Sequence, residues 1–198
     1  MALEFDLHLR DKMKVIWTGT DSLLLVKFPK EFGWTKIFYI IALRILARLT
    51  DLFGEEHFAC GDLVEKNLRR FGMRRSIVQF IHPVKYGKLR KKEHKGFNVL
   101  YFCPKNSKRN NWIYGYDIFL TLKEALRSVN FIRVDGGYDL KEIYPLTDLY
   151  VRPNRHDGHP RMIEECILNE IPYIWTKENP NVEYFVNEIL RVKSCGGK

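Results

Sequence analysis

Residues 148–176 read DLYVRPNRHDGHPRMIEECILNEIPYIWT, and this stretch decides the fold. Asp148 to Val151 is a short apolar run with a β-branched end. Pro153 to Gly158 is a polar loop. After His159-Pro160, Met162, Ile163, Cys166 and Ile167 recur at helical spacing. Pro160 suits the first helical position, where its missing N–H leaves nothing unpaired. Pro172 to Thr176 is a second short strand. Strand, loop, helix, strand is a parallel unit, because two parallel strands need a crossover between them.

The loop and the first helical turn carry the chemistry. A helix N-terminus holds unpaired N–H groups and partial positive charge, so it attracts anions. Arg155, His156, His159 and Arg161 surround this one. Asp157 stands before the helix and Glu165 two turns inside it, an Asp-x7-Glu spacing. Acids early in a helix are also favourable with no function at all.

Pro153, Asn154, Asp157, Gly158, Glu165, Cys166, Asn169-Glu170, Pro172 and Tyr173 together resemble the signature of the retaining, group 1-type glycosyltransferases of the GT-B fold. That signature runs roughly Pro-Ser-x-x-Glu-Gly, then Glu-Ala-x-x-x-Gly-x-Pro-Val. Phe131-Ile-Arg-Val-Asp-Gly-Gly137 and Leu140-Lys-Glu-Ile-Tyr-Pro-Leu-Thr-Asp148 resemble the family segments upstream of it. The resemblance implies an α/β, GT-B-like fold with parallel sheets in Rossmann-like domains and a reduced N-terminal domain. It implies transfer of a sugar from a nucleotide-diphosphate-sugar to an acceptor with retention. Asp157 would meet the donor sugar and Glu165 the ribose. The family usually carries Glu at the first position, so Asp157 is a departure.

The remaining site residues follow from the same resemblance. Phe97 to Cys103 reads as the first strand of the second domain, followed by Pro104 to Asn111 and a helix from about Trp112 to Ser128. A cationic loop after a parallel strand lies at the carboxyl end of the sheet, where phosphates bind. Lys105, Lys108 and Arg109 would hold the diphosphate, with Gly158, His159 and Arg161 at the helix end. Gly136 and Tyr138 would border the base. Gly19 and Asp21 match a His-Gly-Ser-Asp segment, with Thr18 where that histidine would stand. His156 and His159 are groups able to supply a proton. No metal is implied, since Asp-x-Asp is absent, and no cofactor beyond the sugar nucleotide. The acceptor is open among lipid-linked, protein and nucleic-acid molecules, and a partner subunit could complete the reduced N-terminal domain.

Composition sets the frame. The 45% hydrophobic content is that of an ordinary globular protein. No segment approaches the ~20 apolar residues of a membrane span, and the first residues are neither signal nor clear transit peptide. The four cysteines lack Cys-x-x-Cys spacing, which favours buried thiols in a reducing compartment. The expected location is cytoplasmic or at a membrane surface. The net charge is +9, yet Lys66 to Asn111 holds fourteen Lys or Arg and one acid, Glu93. This basic belt supports a second reading: an inactive module that binds nucleic acid or anionic membrane.

Taken in order, Lys14 to Asp21 is a strand running into a glycine turn. Lys36 to Phe53 is a helix with a wide apolar share, either buried or lying on a membrane surface. Glu55 to Asp62 is a strand and turn, and Asp62 is placed to cap the helix from Leu63 to Phe71, ended by Gly72. Ser76 to Ile81 is a strand. The expected division is 13–84 for the N-terminal domain, 85–96 for a basic linker, and 97–193 for the donor domain. The last helix follows Asn179-Pro180, with Val182, Phe185, Val186, Ile189 and Leu190 as its apolar stripe.

Overall fold

The computed structural model describes residues 14–17, 25, 37–53, 56–81, 83–104 and 107–195. Gly19, Asp21 and Lys105 lie outside them. The chain divides into two units, residues 1–82 with 156–160, and residues 83–155 with 161–198. Both are α/β with parallel, Rossmann-like sheets.

The second unit contains β4 (Asn98–Phe102), β5 (Asn130–Val134), β6 (Leu149–Pro153) and β7 (Tyr173–Thr176). Their order is β5-β4-β6-β7, and every pairing is parallel. Val99, Leu100, Tyr101, Leu149, Tyr150 and Val151 are fully buried. Central parallel strands are covered on both faces, so they read as continuous apolar runs rather than alternating ones. On one face lie α4 (Tyr116–Ala125) and α7 (Val182–Cys195), which bring Ile118, Phe119, Leu122, Phe185 and Ile189 to the core. The Phe119 ring stacks on Tyr101 with centroids 4.2 Å apart. Burying a side chain such as Leu122 completely stabilises by about 1.5–3 kcal/mol. On the other face α6 (Arg161–Leu168) supplies Met162, Ile163 and Cys166, with Tyr144 after the short α5 (Leu140–Ile143).

Three expectations change here. The helix expected over 112–128 is two helices, α3 (Lys108–Ile113) and α4. The hydroxyl of Ser107 accepts from the Asn110 N–H and starts α3 early, while Gly115, at φ 63°, breaks it from α4. Strand β6 runs on through Arg152 and Pro153, because both pair with β7. Leu190 is 45% exposed, while Phe185 and Ile189 are buried in the core and Val182 and Val186 pack against it. Residues 85–96 fall within the second unit.

The first unit holds the parallel sheet β1-β2-β3, from Lys14–Trp17, Glu56–Ala59 and Ser76–Gln79. Helix α1 (Ile37–Phe53) buries Ile40, Leu43 and Ala47. Helix α2 (Asp62–Phe71) begins at Gly61 with no side-chain cap, so Asp62 does not cap it as expected. Gly61 takes φ 92°, which keeps the residue before the helix free of a side chain. Gly72 ends α2 in the left-handed region with its N–H on the Arg69 and Leu68 carbonyls. A polar chain crosses the interior: Trp17 Nε1 donates to His57 Nδ1 at 3.2 Å, and His57 Nε2 lies 3.3 Å from Asp51 Oδ1. The indole can only donate, so Nδ1 accepts and Nε2 carries the proton toward Asp51.

Candidate functional site

The sheet order places a topological switch point between β4 and β6. The chain leaves β4 toward β5 on one side, then returns to β6 on the other. Ligands of open α/β sheets bind outside the carboxyl ends of the strands at such a point. Two of the expected segments begin there.

After β4, Lys108 and Arg109 sit in the first turn of α3, behind the Ser107 cap, rather than in a loop. After β6, the chain is pinned to the turn between α3 and α4. The Arg155 N–H donates to the Ile113 carbonyl at 2.9 Å, and its guanidinium donates to Asp117 through Nη1 at 2.8 Å and Nη2 at 2.6 Å. This bidentate bond, more than the opposing burial, holds the Asp117 carboxyl below the usual carboxylate range. A Cβ on Gly115 would stand 2.1 Å from the Pro153 carbonyl oxygen, so only glycine allows this seating. Arg152 is buried, donates from Nη1 to the Tyr150 hydroxyl at 3.0 Å, and lies 5.3 Å from the Tyr114 ring centroid. Arg133, at the end of β5, stands 4.5 Å over Tyr116. Asn154 is 1% exposed, and among the described residues neither atom of its side-chain amide meets a hydrogen-bond partner.

Glu165 is 1% exposed on the inner side of α6. Its Oε1 accepts from the Lys85 N–H at 2.9 Å and lies 3.5 Å from Arg161 Nε. Its Oε2 accepts from the Tyr144 hydroxyl at 2.7 Å. Burial first, then donation to Glu165, pushes the Tyr144 phenol above its ordinary range. A carboxylate oxygen can take two hydrogen bonds, and among the described residues Oε2 takes one. The next turn reinforces the arrangement: Asn169 Oδ1 accepts from the Leu89 N–H at 2.7 Å, and the Asn169 amide donates to the Glu165 carbonyl at 2.8 Å.

Residues 156–160 belong to the first unit. His156 and Asp157 are buried, at 5% and 8% exposure, rather than displayed on a polar loop. A Cβ on Gly158 would come within 2.3 Å of the Cys60 carbonyl oxygen, and one on Gly61 within 3.0 Å of the Gly158 carbonyl carbon and the His159 nitrogen. Packing alone therefore requires both glycines. Burial pushes the Cys60 thiol up to about 11, so it stays protonated and inert at neutral pH. Gly136, at φ 97°, and Tyr138, 56% exposed, form an open turn after β5, where the Gly137 N–H donates to Asp135.

The basic belt is divided between the two units. Between Lys85 and Lys95 three lysines pair with acids of the second unit: Lys88 with Glu170, Lys91 with Asp148 at 2.9 Å, and Lys92 with Glu142 at 3.1 Å. Lys66, Arg69, Arg70, Arg74 and Arg75 are exposed in the first unit. Among the described residues no three His, Cys, Asp or Glu side chains could hold a metal ion, and no helix is long and apolar enough to cross a membrane.

Sequence reasoning gave Tyr144 and Arg152 no part in the site. Tyr144 lies 21 residues from Glu165, and no periodicity links them.

No protein-family model and no curated protein matches the chain. Among solved structures it is similar to the apo form of the lipopolysaccharide outer core galactosyltransferase WaaB, at 14% identity and a TM-score of 0.47. The match covers 74% of this chain and 55% of that one, so the chain spans little more than half the length of that structure.

Proposed function

We propose that the chain is a GT-B-like glycosyltransferase that moves a sugar from a nucleotide-diphosphate-sugar to an acceptor with retention. The observation that carries the reading is the switch point. The residues resembling a group 1-type donor site follow β4 and β6, the two strands whose carboxyl ends flank it. In this reading Lys108, Arg109 and Arg161 stabilise the negative charge that grows on the leaving diphosphate. Asp157 orients the donor sugar. Glu165, held by Tyr144 and the Lys85 N–H, receives the ribose on its remaining acceptor position. The sugar passes through an oxocarbenium-like state without a protein nucleophile.

The test is donor cleavage. The protein is incubated with nucleotide-diphosphate-sugars, with lipid-linked, peptide and nucleic-acid acceptors offered in turn. Free nucleoside diphosphate is measured, and the anomeric proton of the product is read by NMR. Release with one donor and an unchanged anomer is expected. An inverted anomer contradicts retention, and no release with any pair contradicts the activity.

A further inference from the structure

Helix α1 is apolar on two sides. Its inner side is buried in the first unit, but Phe38, Ile41, Ile45, Leu49 and Leu52 are 81, 48, 56, 46 and 63% exposed. They recur at steps of three and four residues. At 3.6 residues per turn they fall within an arc of about 80° and run roughly 21 Å along the helix. Apolar residues scattered singly on a surface are ordinary, but a contiguous row marks a contact surface.

One edge of this row is cationic. Arg48 lies about 20° outside the arc, beside Ile41 and Leu52. Its guanidinium donates to the carbonyls of Phe71 at 2.7 Å and Gly72 at 3.0 Å. Arg75 reaches back to the carbonyls of Asp51 at 3.0 Å and Leu52 at 2.8 Å. These bonds tie residues 71–75 to the same edge. That segment and the end of α2 display Lys66, Arg69, Arg70, Arg74 and Arg75, all exposed. The sequence has no acid from Lys66 to Lys92. The neighbouring acids are engaged: Asp51 is buried on backbone amides, and Glu65 meets Arg69 and Gln79.

A surface that is apolar along its middle and cationic along its edge fits a partner that is negative outside and apolar within. Anionic phospholipid has that layering. A second copy of the chain would bring the same cations to the seam and no acids to meet them. A nucleic acid would meet the cations and leave the row in water. We propose that α1 docks the first unit on an anionic bilayer, with the row at the headgroup–acyl boundary and residues 66–75 on the phosphates. The proposal does not depend on the glycosyltransferase reading.

The test is sedimentation of the full chain with vesicles of phosphatidylcholine, alone or mixed with phosphatidylglycerol. Light scattering reports the mass, and circular dichroism reports the fold. The expected result is partition at least about tenfold stronger on anionic vesicles, weakened by salt. It falls at least about tenfold in I45D/L49D, and falls without loss of mass or fold in R70E/R74E. Should I45D/L49D fail to fold, Phe38→Ser at the most exposed position takes its place. Equal sedimentation of wild type and row variants overturns the proposal. So does a dimer abolished by I45D/L49D with no vesicle binding, or duplex binding insensitive to the row with no vesicle binding.

Discussion

Asp51 and Glu165 are both buried carboxylates, one in each unit, and both accept backbone N–H groups from residues far along the chain. Asp51 takes the amides of Arg74 and Arg75 and lies against His57. Glu165 takes the Lys85 amide and the Tyr144 hydroxyl, with Arg161 more distant. Asp51 is thus spent on closing the first unit: its bonds hold the turn that leads into β3. Glu165 holds its own segment too, yet it lies on the helix that follows the switch point. Burial alone does not separate a structural acid from a proposed binding one. The difference on which the donor-site proposal rests is where the sheet order places the residue.

The largest expected effect is at Asp51. Asp51→Ala strands two part-buried amides and the buried His57 N–H, and should lower the unfolding free energy by about 3 kcal/mol in urea. A loss under about 1 kcal/mol would break the contrast with Glu165.

Tyr144→Phe removes one hydrogen bond to a buried carboxylate and should cost about 1.5–3 kcal/mol. It should also weaken any donor-dependent stabilisation, which Asp51 variants that still fold should leave intact.

A smaller effect concerns pH. Burial pushes the His57 pKa below 6.5 and outweighs the pull of Asp51. Burial pushes Asp51 upward, but the Arg75 and Arg74 amides and His57 together outweigh it and leave its pKa below 3.8. Both folded-state values are depressed, so the unfolded chain binds the proton first. Their stabilisation is present above the unfolded values and is lost as pH falls. The loss begins near 6.5 for His57 and below 3.8 for Asp51. Urea midpoints between pH 7 and 5 should fall in the wild type and fall less in His57→Gln.

The smallest effect is at Glu170, which sits at φ 56° after α6, with Ile171 N–H on the Cys166 carbonyl. Glycine suits this left-handed position, and the pair with Lys88 is exposed. Glu170→Gly should raise the melting temperature slightly, a gain smaller than any loss above.

The parallel core was legible because its strands are apolar on both faces. Val99 to Tyr101 and Leu149 to Val151 stand out without any pairing information. Boundaries were lost where one side chain or one glycine decides them, as at Ser107 and Gly115. The strand reading stopped at Val151 and Pro153 read as loop, because neither Arg152 nor Pro153 is a strand former, yet β7 pairs with both. The Asp157 and Glu165 positions were visible as a spacing, but the Tyr144 hydroxyl and the Lys85 amide come from distant segments. Charge pairing was hidden in the same way: the pairs of Lys88, Lys91 and Lys92 exist only once the chain is folded.

The most direct measurement is thermal stability against a panel of nucleotides and nucleotide-diphosphate-sugars, on the wild type, Asp157→Ala and Glu165→Gln. A ligand at about 100 times its dissociation constant adds roughly 2.7 kcal/mol to the native state. The account predicts that one sugar nucleotide stabilises the wild type and that both variants, still folded, lose the response. A wild type that no sugar nucleotide stabilises, or variants that respond as the wild type does, would contradict the donor site.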